Sequence, residues 1–218
     1  MLGFAHFRGQ IALITPWMAA GSLKQHILRS SLPPPLQTCI QLANAVEYLH
    51  KTGIVHGDIK PDNVLITDQG RTQLADFGSA ITLASTLNFT QTSSLKFTTR
   101  FAAPEVLKAE GCTFTKESDI YALGMTMFNI MSGQIPFADK VEVWVIIEVI
   151  QNKGQPSRPS FSKNLQGDVA RDNMWDLLKW CFTYEPAARP KAGQVKGALI
   201  QIESLEEILG VEVLSQAK

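Results

Sequence analysis

The chain has 218 residues, of which 45% are hydrophobic and 18% are charged, so it can bury a sizeable core and is not disordered as a whole. Lys plus Arg and Asp plus Glu number 20 each, and this balance gives no electrostatic reason to expect a nucleic acid or an acidic membrane surface as a partner. The three cysteines, Cys39, Cys112 and Cys181, are far apart and form no CxxC pair. This argues against a disulfide scaffold or a zinc ribbon and favours an intracellular, cytoplasmic location.

The first part of the chain combines a hairpin, two helices and two short strands. Apolar runs at Leu2–Phe7 and Ile11–Ile14, joined by a connection that contains Gly9, predict a β-hairpin. The apolar spacing of three and four residues that starts at Leu36 predicts a helix, which Gly53 ends. The other predicted elements are a short helix near Leu23–Arg29 with Ser22 as its N-cap, and extended segments around Asn63–Thr67 and Thr72–Ala75.

The second part of the chain is predicted to be almost entirely helical. Apolar residues occupy nearly every position of Ile120–Met131, which is typical of a helix buried on all sides. The preceding Ser/Thr-rich segment, Ser79–Arg100, lacks periodicity and predicts a long loop, either regulated or passive. Further helices are predicted at Val141–Gln151, Val169–Cys181 and Lys191–Ile202, with a last amphipathic piece at Ser204–Leu214.

No signal for membrane insertion or targeting is found in the sequence. No apolar run reaches about 18 residues, so no membrane span is expected. The segment Met1–Gln10 lacks the basic and apolar pattern of a targeting peptide.

Three polar motifs follow one another along the chain. They are HGDIKPDN at 56–63, DFG at 76–78 and APE at 103–105. In this order they resemble the catalytic loop, the DFG motif and the end of the activation segment of the eukaryotic protein kinase family, serine/threonine type. The likeness continues through SDIYALG at 118–124, PF at 136–137 and ARP at 188–190, and covers about 2–202.

The resemblance implies a fold and a division of the chain. The expected fold class is α+β, mainly the helical large lobe of a protein kinase with a remnant hairpin and hinge of the small lobe. Residues 1–202 would form the kinase domain, with 1–16 as the small-lobe remnant and 17–202 as the large lobe. Residues 203–218 would form a C-terminal helical tail.

The resemblance also implies a reaction, the transfer of the γ-phosphate of ATP to serine or threonine hydroxyls of a protein substrate. Asp58 would accept the hydrogen bond of the attacking hydroxyl, and Lys60 would approach the transferred phosphate. Asn63 and Asp76 would hold Mg2+, which prefers hard oxygen ligands.

Other matched positions would bind nucleotide or support the site. Thr15, Pro16 and Met18 resemble the adenine-binding hinge, with Leu65 as the floor beneath the purine, and Thr98 resembles the threonine that links the activation segment to the catalytic loop. The expected structural residues are His56 and Phe77, which would stack in a core column between the lobes, Asp119, which would hold the catalytic-loop backbone, and the ion pair of Glu105 with Arg189.

Two departures from the family pattern leave two functions open. No glycine-rich phosphate loop precedes the hairpin, and Met1–Ile14 contains no lysine, which predicts an impaired enzyme, since losing one preorganised donor costs about 10²–10³ in rate. Gly57 stands where many kinases carry arginine, which predicts that phosphorylation of the activation segment is not the on-switch. The chain is therefore either a serine/threonine kinase, a fragment or a degenerate one, or a pseudokinase-like protein-binding module.

Overall fold

The computed structural model describes residues 2–7, 10–82, 99–108, 114–161 and 164–216. Within these ranges the chain forms short antiparallel strand pairs and a larger set of helices. The strands are β1 (Gly3–Phe7), β2 (Gln10–Ile14), β3 (Ile54–Val55), β4 (Val64–Ile66), β5 (Thr72–Leu74) and β6 (Ile81–Thr82). The helices are α1 (Leu23–Leu28), α2 (Pro35–Lys51), α3 (Pro104–Lys108), α4 (Lys116–Ser132), α5 (Glu142–Ile150), α6 (Asp168–Cys181) and α7 (Ala192–Gln216). The α+β, mostly helical fold class expected from the sequence is confirmed.

The strands form three separate antiparallel pairs, β1 with β2, β3 with β6, and β4 with β5. In the last pair Val64 lies opposite Leu74 and Ile66 lies opposite Thr72. Strand β4 follows the motif at 56–63, and β5 leads into the motif at 76–78. Because the two strands are antiparallel, their pairing brings both motifs to the same end of the strand pair. The predicted hairpin at the start of the chain is also present, with Phe4 paired to Leu13.

Helix α4 is the centre of the core. Most of its residues are buried, from Ser118 near its start to Met131 near its end. Thr115 caps the helix by accepting the Ser118 N–H at 3.1 Å, and Gly133 ends it with a left-handed φ of +70°. Within this helix Gly124 allows close packing, because an added Cβ would lie 2.5 Å from the Cβ of Cys181 on α6.

The end of the chain differs from the sequence-based prediction. Two helices were expected, Lys191–Ile202 and Ser204–Leu214, but α7 is one continuous helix over Ala192–Gln216. No glycine or proline interrupts this region between the two expected pieces. Ser204 does not cap a new helix, because its hydroxyl donates to the carbonyl of Ile200 one turn earlier at 3.1 Å.

The part of α7 beyond 202 is joined to the rest of the lobe. The Gln37 side chain on α2 donates to Glu203. The Glu206 carboxylate accepts the N–H groups of Gln166 at 2.8 Å and Gly167 at 3.1 Å, which lie at the start of α6. A carboxylate at this position satisfies free N–H groups and complements the positive end of the helix. Among the described residues, no helix is both long enough and apolar enough to cross a membrane.

Candidate active site

The loop between β3 and β4 places three of the expected catalytic side chains in contact. The Lys60 ammonium lies 2.7 Å from Asp58 Oδ2. The Asn63 side-chain amide donates to the same Oδ2 and to the Asp58 backbone carbonyl, each at 2.8 Å. Lys60 also precedes a 3-10 turn, Pro61–Asn63, in which the Asn63 N–H donates to the Lys60 carbonyl at 3.0 Å. The loop therefore folds back on itself around the Asp58 carboxylate.

These contacts fix the orientation of the Asn63 amide. The amide nitrogen faces Asp58, so the amide oxygen points away from Asp58. That oxygen accepts no hydrogen bond from the described residues, and Asn63 is 7% exposed. A carbonyl-type oxygen held in a fixed direction without a donor is a suitable ligand for a hard cation.

Asp76 lies beside this loop because of the pairing of β4 with β5. The Ala75 N–H donates to the Asn63 carbonyl at 2.8 Å, so Asp76 directly follows a residue bonded to the catalytic loop. Asp76 has a left-handed backbone, with φ +60° and ψ +76°, and its carboxylate accepts the Gly78 N–H at 3.2 Å. A non-glycine residue in this region is uncommon and often marks a functional position. The Asp76 side chain is exposed to solvent.

His56 forms hydrogen bonds both to the loop that contains Asp58 and to the segment that precedes Asp76. Its Nε2 lies 3.0 Å from the Ala75 carbonyl, and its Nδ1 lies 3.3 Å from the Asp58 N–H. One ring nitrogen therefore donates and the other accepts, which is the pattern of a neutral imidazole protonated on Nε2. Burial lowers the pKa of His56 below its ordinary value, against the opposing effects of Asp119 and other nearby acidic groups. The neutral ring is thus the form that fits this position.

Asp119, at the start of α4, holds the catalytic-loop backbone. It is 1% exposed, and its two oxygens accept the N–H groups of His56 at 2.8 Å and Gly57 at 2.9 Å. A third donor, the Nε2 of His50, lies 3.0 Å from Asp119 Oδ2. Three hydrogen bonds offset the cost of burying this carboxylate.

The contact of His50 with Asp119 was not expected from the sequence. His50 lies in the last turn of α2 and is 9% exposed. The only sign of this contact in the sequence is that His50, a polar residue, stands where the apolar periodicity of α2 predicts a buried side chain. A second missed contact joins Lys24 on α1 to Asp62 in the catalytic loop at 2.8 Å.

The residues expected to bind adenine are brought together only in part. Ser22 forms a β-bridge with Leu65, and the Gly21 carbonyl accepts the Ile66 N–H at 3.0 Å. Met18 joins this group through its carbonyl, which accepts the Gly21 N–H at 3.0 Å. Thr15 and Pro16 are exposed, and no hydrogen bond among the described residues joins them to β4.

The remaining predicted residues divide into three cases. The rings of His56 and Phe77 lie 5.0 Å apart in a tilted contact, and Phe77 is 44% exposed. Glu105 and Arg189 form a two-pronged ion pair, with Nη1–Oε1 at 2.6 Å and Nη2–Oε2 at 2.8 Å. Thr98 lies outside the described residues, as does most of the long loop.

The donor set fits a magnesium ion that is shared with a substrate. Among the described residues, no group of three or more His, Cys, Asp and Glu side chains could hold a metal ion. Asn63 and Asp76 together offer one amide oxygen and one exposed carboxylate. Mg2+ is commonly bound by one or two carboxylates together with phosphate oxygens of a nucleotide, so the residues present suit a metal that arrives with the nucleotide.

Known proteins match most of the chain. The sequence model of the family described as protein kinase domain matches residues 1–198. Serine/threonine-protein kinase PrkC of Bacillus subtilis is 33% identical over 162 residues, which are 70% of this chain and 24% of PrkC. Serine/threonine-protein kinase PknK of Mycobacterium bovis is 33% identical over 185 residues, 84% of this chain and 16% of PknK.

A plant protein matches at a similar level. The 3-phosphoinositide-dependent protein kinase 1 of Arabidopsis thaliana is 33% identical over 161 residues, which are 70% of this chain and 30% of that protein. The chain therefore spans less than a third of the length of each of these three relatives.

Proposed function

The chain belongs to the protein kinase family, and from this premise we propose that it transfers the γ-phosphate of ATP to serine or threonine hydroxyls of a protein substrate. The observation that carries the proposal is the contact of Asp58, Lys60 and Asn63 in one loop, next to Asp76 on the adjoining strand pair. The names of the relatives, serine/threonine-protein kinases, support the same reaction.

Asp58 is proposed as the group that receives the proton of the attacking hydroxyl. In the reaction the hydroxyl oxygen forms a bond to the γ-phosphorus while the bond from that phosphorus to the bridging oxygen of ADP breaks. The hydroxyl proton passes to Asp58 Oδ2 or Oδ1, which Asn63 holds in place. Lys60, 2.7 Å from the same carboxylate, would stabilise negative charge on the transferred phosphate.

Asn63 and Asp76 are proposed to hold Mg2+, which would neutralise charge on the nucleotide phosphates when it is bound. The amide nitrogen of Asn63 donates to Asp58, which would leave the amide oxygen available as a ligand of the metal. We propose Met18 and Leu65 as adenine contacts, with Thr15 and Pro16 on the hinge side and Thr98 as a link from the activation segment. These assignments come from the family resemblance.

We also propose the division of the chain given by the resemblance. Residues 1–202 would form the kinase domain, and 203–218 a tail that continues α7. A protein rather than a nucleic acid as the substrate fits the balanced charge of the sequence, and we propose a cytoplasmic location from the few, widely spaced cysteines.

The experiment that tests this proposal measures nucleotide binding and transfer on the purified chain. Thermal unfolding is followed with Mg2+ alone, ATP alone and both, and transfer to myelin basic protein is then measured with labelled ATP. We expect a rise in the unfolding temperature with Mg2+ and ATP together. Asp58→Asn should abolish transfer, whereas Asp62→Asn, which changes an exposed carboxylate of the same loop, should retain it.

Transfer that persists in Asp58→Asn would show that a contaminating kinase is responsible. Absence of both binding and transfer would contradict the enzyme proposal and favour the second candidate, a pseudokinase-like protein-binding module. That candidate is supported by one observation, the 44% exposure of Phe77 beside the site. A module of this kind would keep its fold and bind partners without phosphoryl transfer.

A further inference from the structure

Two lysine ammonium groups converge on one aromatic ring at the end of α3. Lys108, the last residue of α3, and Lys153, in the loop after α5, each place Nζ 4.7 Å from the centre of the Tyr184 ring. Lys108 also donates to the Tyr184 hydroxyl. Both ammonium groups are within the distance at which a cation is attracted to the face of an aromatic ring.

Hydrogen bonds hold Tyr184 at its side-chain hydroxyl and at its backbone carbonyl. Its hydroxyl donates to the Ile150 carbonyl at 3.3 Å, and its own backbone carbonyl accepts the Nη2 of Arg189 at 3.1 Å. The Arg189 side chain is fully buried and is fixed in turn by Glu105. The ring is therefore a rigid support, and rigid supports lower the ordering cost of binding.

The position of Lys153 is also strained. Its φ is +52°, a left-handed conformation that a residue with a Cβ adopts at an energetic cost. The neighbouring Gly154 N–H donates to the Glu148 carbonyl at 2.9 Å, which fixes the turn. Strained residues of this type persist where the surrounding structure imposes them, and they are frequent at ligand-binding sites.

The two positive charges have no acidic partner in the part of the chain that the structure describes. Of the nearby carboxylates, Glu105 pairs with Arg189 at 2.6 Å and Glu148 lies 3.7 Å from Lys140, while the exposed Glu185 forms no ion pair among the described residues. Like charges held near each other repel, and an oxyanion within reach of both ammonium groups would be attracted to both.

We propose that Lys108 and Lys153, which Tyr184 positions side by side, form a binding site for an acidic group of a peptide, either a carboxylate or a phosphoryl group. The cluster is small, and the net charge of the chain is zero. A nucleic acid would need an extended basic surface to neutralise several phosphates at once, so a single acidic side chain is the better fit. Asp58 takes no part in these contacts, and the site can therefore bind whether or not the chain transfers phosphate.

The test is a direct binding measurement on the full chain without nucleotide. Three fluorescein-labelled peptides of one sequence are compared by anisotropy at low ionic strength, with glutamate, phosphoserine or glutamine at the central positions. We expect both acidic peptides, or one of them, to bind and the glutamine peptide to bind at least about tenfold more weakly. Binding of only one acidic peptide identifies which oxyanion the site prefers.

Variants test whether the binding uses the named residues. Lys108→Gln combined with Lys153→Gln should weaken binding of the acidic peptide by about tenfold. The control Lys51→Gln combined with Lys191→Gln removes the same charge from two other exposed lysines and should stay within about twofold. Tyr184→Phe keeps the ring but removes the hydroxyl, and should give a loss between these two values.

Four results would overturn the proposal. The first is unchanged binding in the Lys108 and Lys153 variant, and the second is an equal loss in the control. The third is equal binding of the glutamine peptide. The last is lysine-dependent binding of a single-stranded oligonucleotide when neither acidic peptide binds, which would assign the site to another class of ligand. Because the changed lysines are exposed, all variants should fold, and circular dichroism checks this.

Discussion

The Asn63 side-chain amide donates two hydrogen bonds to Asp58, one to its carboxylate and one to its backbone carbonyl, both at 2.8 Å. The relationship locks the orientation of two functional groups at once. In the proposed reaction, the carboxylate would be held for the attacking hydroxyl, and the amide oxygen would be left for the metal. A single contact inside one loop therefore coordinates two roles that the proposed reaction requires.

This contact predicts a strong effect for Asn63→Asp. The change replaces an N–H donor with a carboxylate oxygen beside Asp58 Oδ2, in a position that is 7% exposed. We expect a loss of about 2–4 kcal/mol in the free energy of unfolding at neutral pH. Part of this loss should be recovered at acidic pH, because one protonated carboxyl can donate to the other.

Urea unfolding at two pH values measures the effect, and Asn152→Asp is its matched control. Asn152 also donates its amide to a carboxylate, Glu148 Oε2, at 3.2 Å, but on the exposed end of α5. There the change should cost only a few tenths of a kcal/mol, about 0.5 at most. Equal losses in the two variants would show that burial does not govern the Asn63 contact.

Gly57 and Gly53 share a left-handed backbone but differ in their surroundings. Their φ values are +78° and +76°. A Cβ at Gly57 would lie 2.8 Å from the Phe114 ring and 2.9 Å from the Ser79 carbonyl, whereas a Cβ at Gly53 would meet nothing within 4 Å. We expect Gly53→Ala to cost about 1 kcal/mol from backbone strain, and Gly57→Ala to cost about 1–3 kcal/mol more.

Chemical unfolding of the two alanine variants measures the difference, which isolates the steric effect from the backbone effect. Equal costs would mean that Phe114 and the Ser79 segment move aside freely. The same crowding bears on regulation, because a side chain at position 57 would displace these neighbours. Activity that appeared only after phosphorylation of the loop would contradict the hypothesis drawn from Gly57.

His56 predicts a specific dependence of stability on pH. Its pKa is lowered by burial in the folded chain, while in the unfolded chain it takes the ordinary value of about 6.5. Below that value the unfolded state binds a proton that the folded state does not. His56 therefore stabilises the fold above pH 6.5, and its contribution falls as the pH drops toward the folded pKa, by up to about 1.4 kcal/mol per pH unit.

Two measurements check this prediction. Nuclear magnetic resonance of labelled imidazole should show His56 neutral and protonated on Nε2 at pH values where a free histidine is charged. Urea unfolding between pH 7.5 and 5 should show a steeper loss for the natural chain than for His56→Leu. A ring that titrates at the ordinary value or above it would contradict the assignment.

Glu206 lies in the part of α7 that follows residue 202, and we expect it to stabilise the fold. Glu206→Gln replaces a charged acceptor of the Gln166 and Gly167 N–H groups with a neutral one, and should cost about 1 kcal/mol in the free energy of unfolding. The adjacent Glu207 is exposed and has no contact of this kind among the described residues, so Glu207→Gln should be within about 0.5 kcal/mol of the natural chain. A larger effect at Glu207 would show that net charge, and not the helix cap, is responsible.

The elements with a strong local signal could be predicted from the sequence. In α2 the apolar residues spaced three and four apart indicate which face is buried, and in α4 the apolar run indicates burial on all sides. A glycine after each helix fixes its end. The two expected helices at the end of the chain were wrong because a serine can lie within a helix as well as cap one. Local sequence does not decide between these states when no glycine or proline intervenes.

In the candidate site, too, some features could be predicted from the local sequence and others could not. Asp58, Lys60 and Asn63 lie within one short loop, and the resemblance of that loop to the family motif singled them out. The contact of His50 with Asp119 joins residues far apart in the chain, and its only local signal was one polar residue on an otherwise apolar face. The exposure of Phe77 also depends on what covers it in three dimensions, which a tripeptide motif does not encode.

The three hydrogen bonds accepted by Asp119 have a consequence for hydrogen exchange. Two of the donors are the backbone N–H groups of His56 and Gly57, and the acceptor belongs to the most buried helix of the fold. Opening the loop locally would leave a carboxylate without partners inside the core, so these two amide protons should exchange with solvent only when the whole lobe unfolds. The loop that carries the proposed chemistry would then be among the slowest-exchanging parts of the molecule.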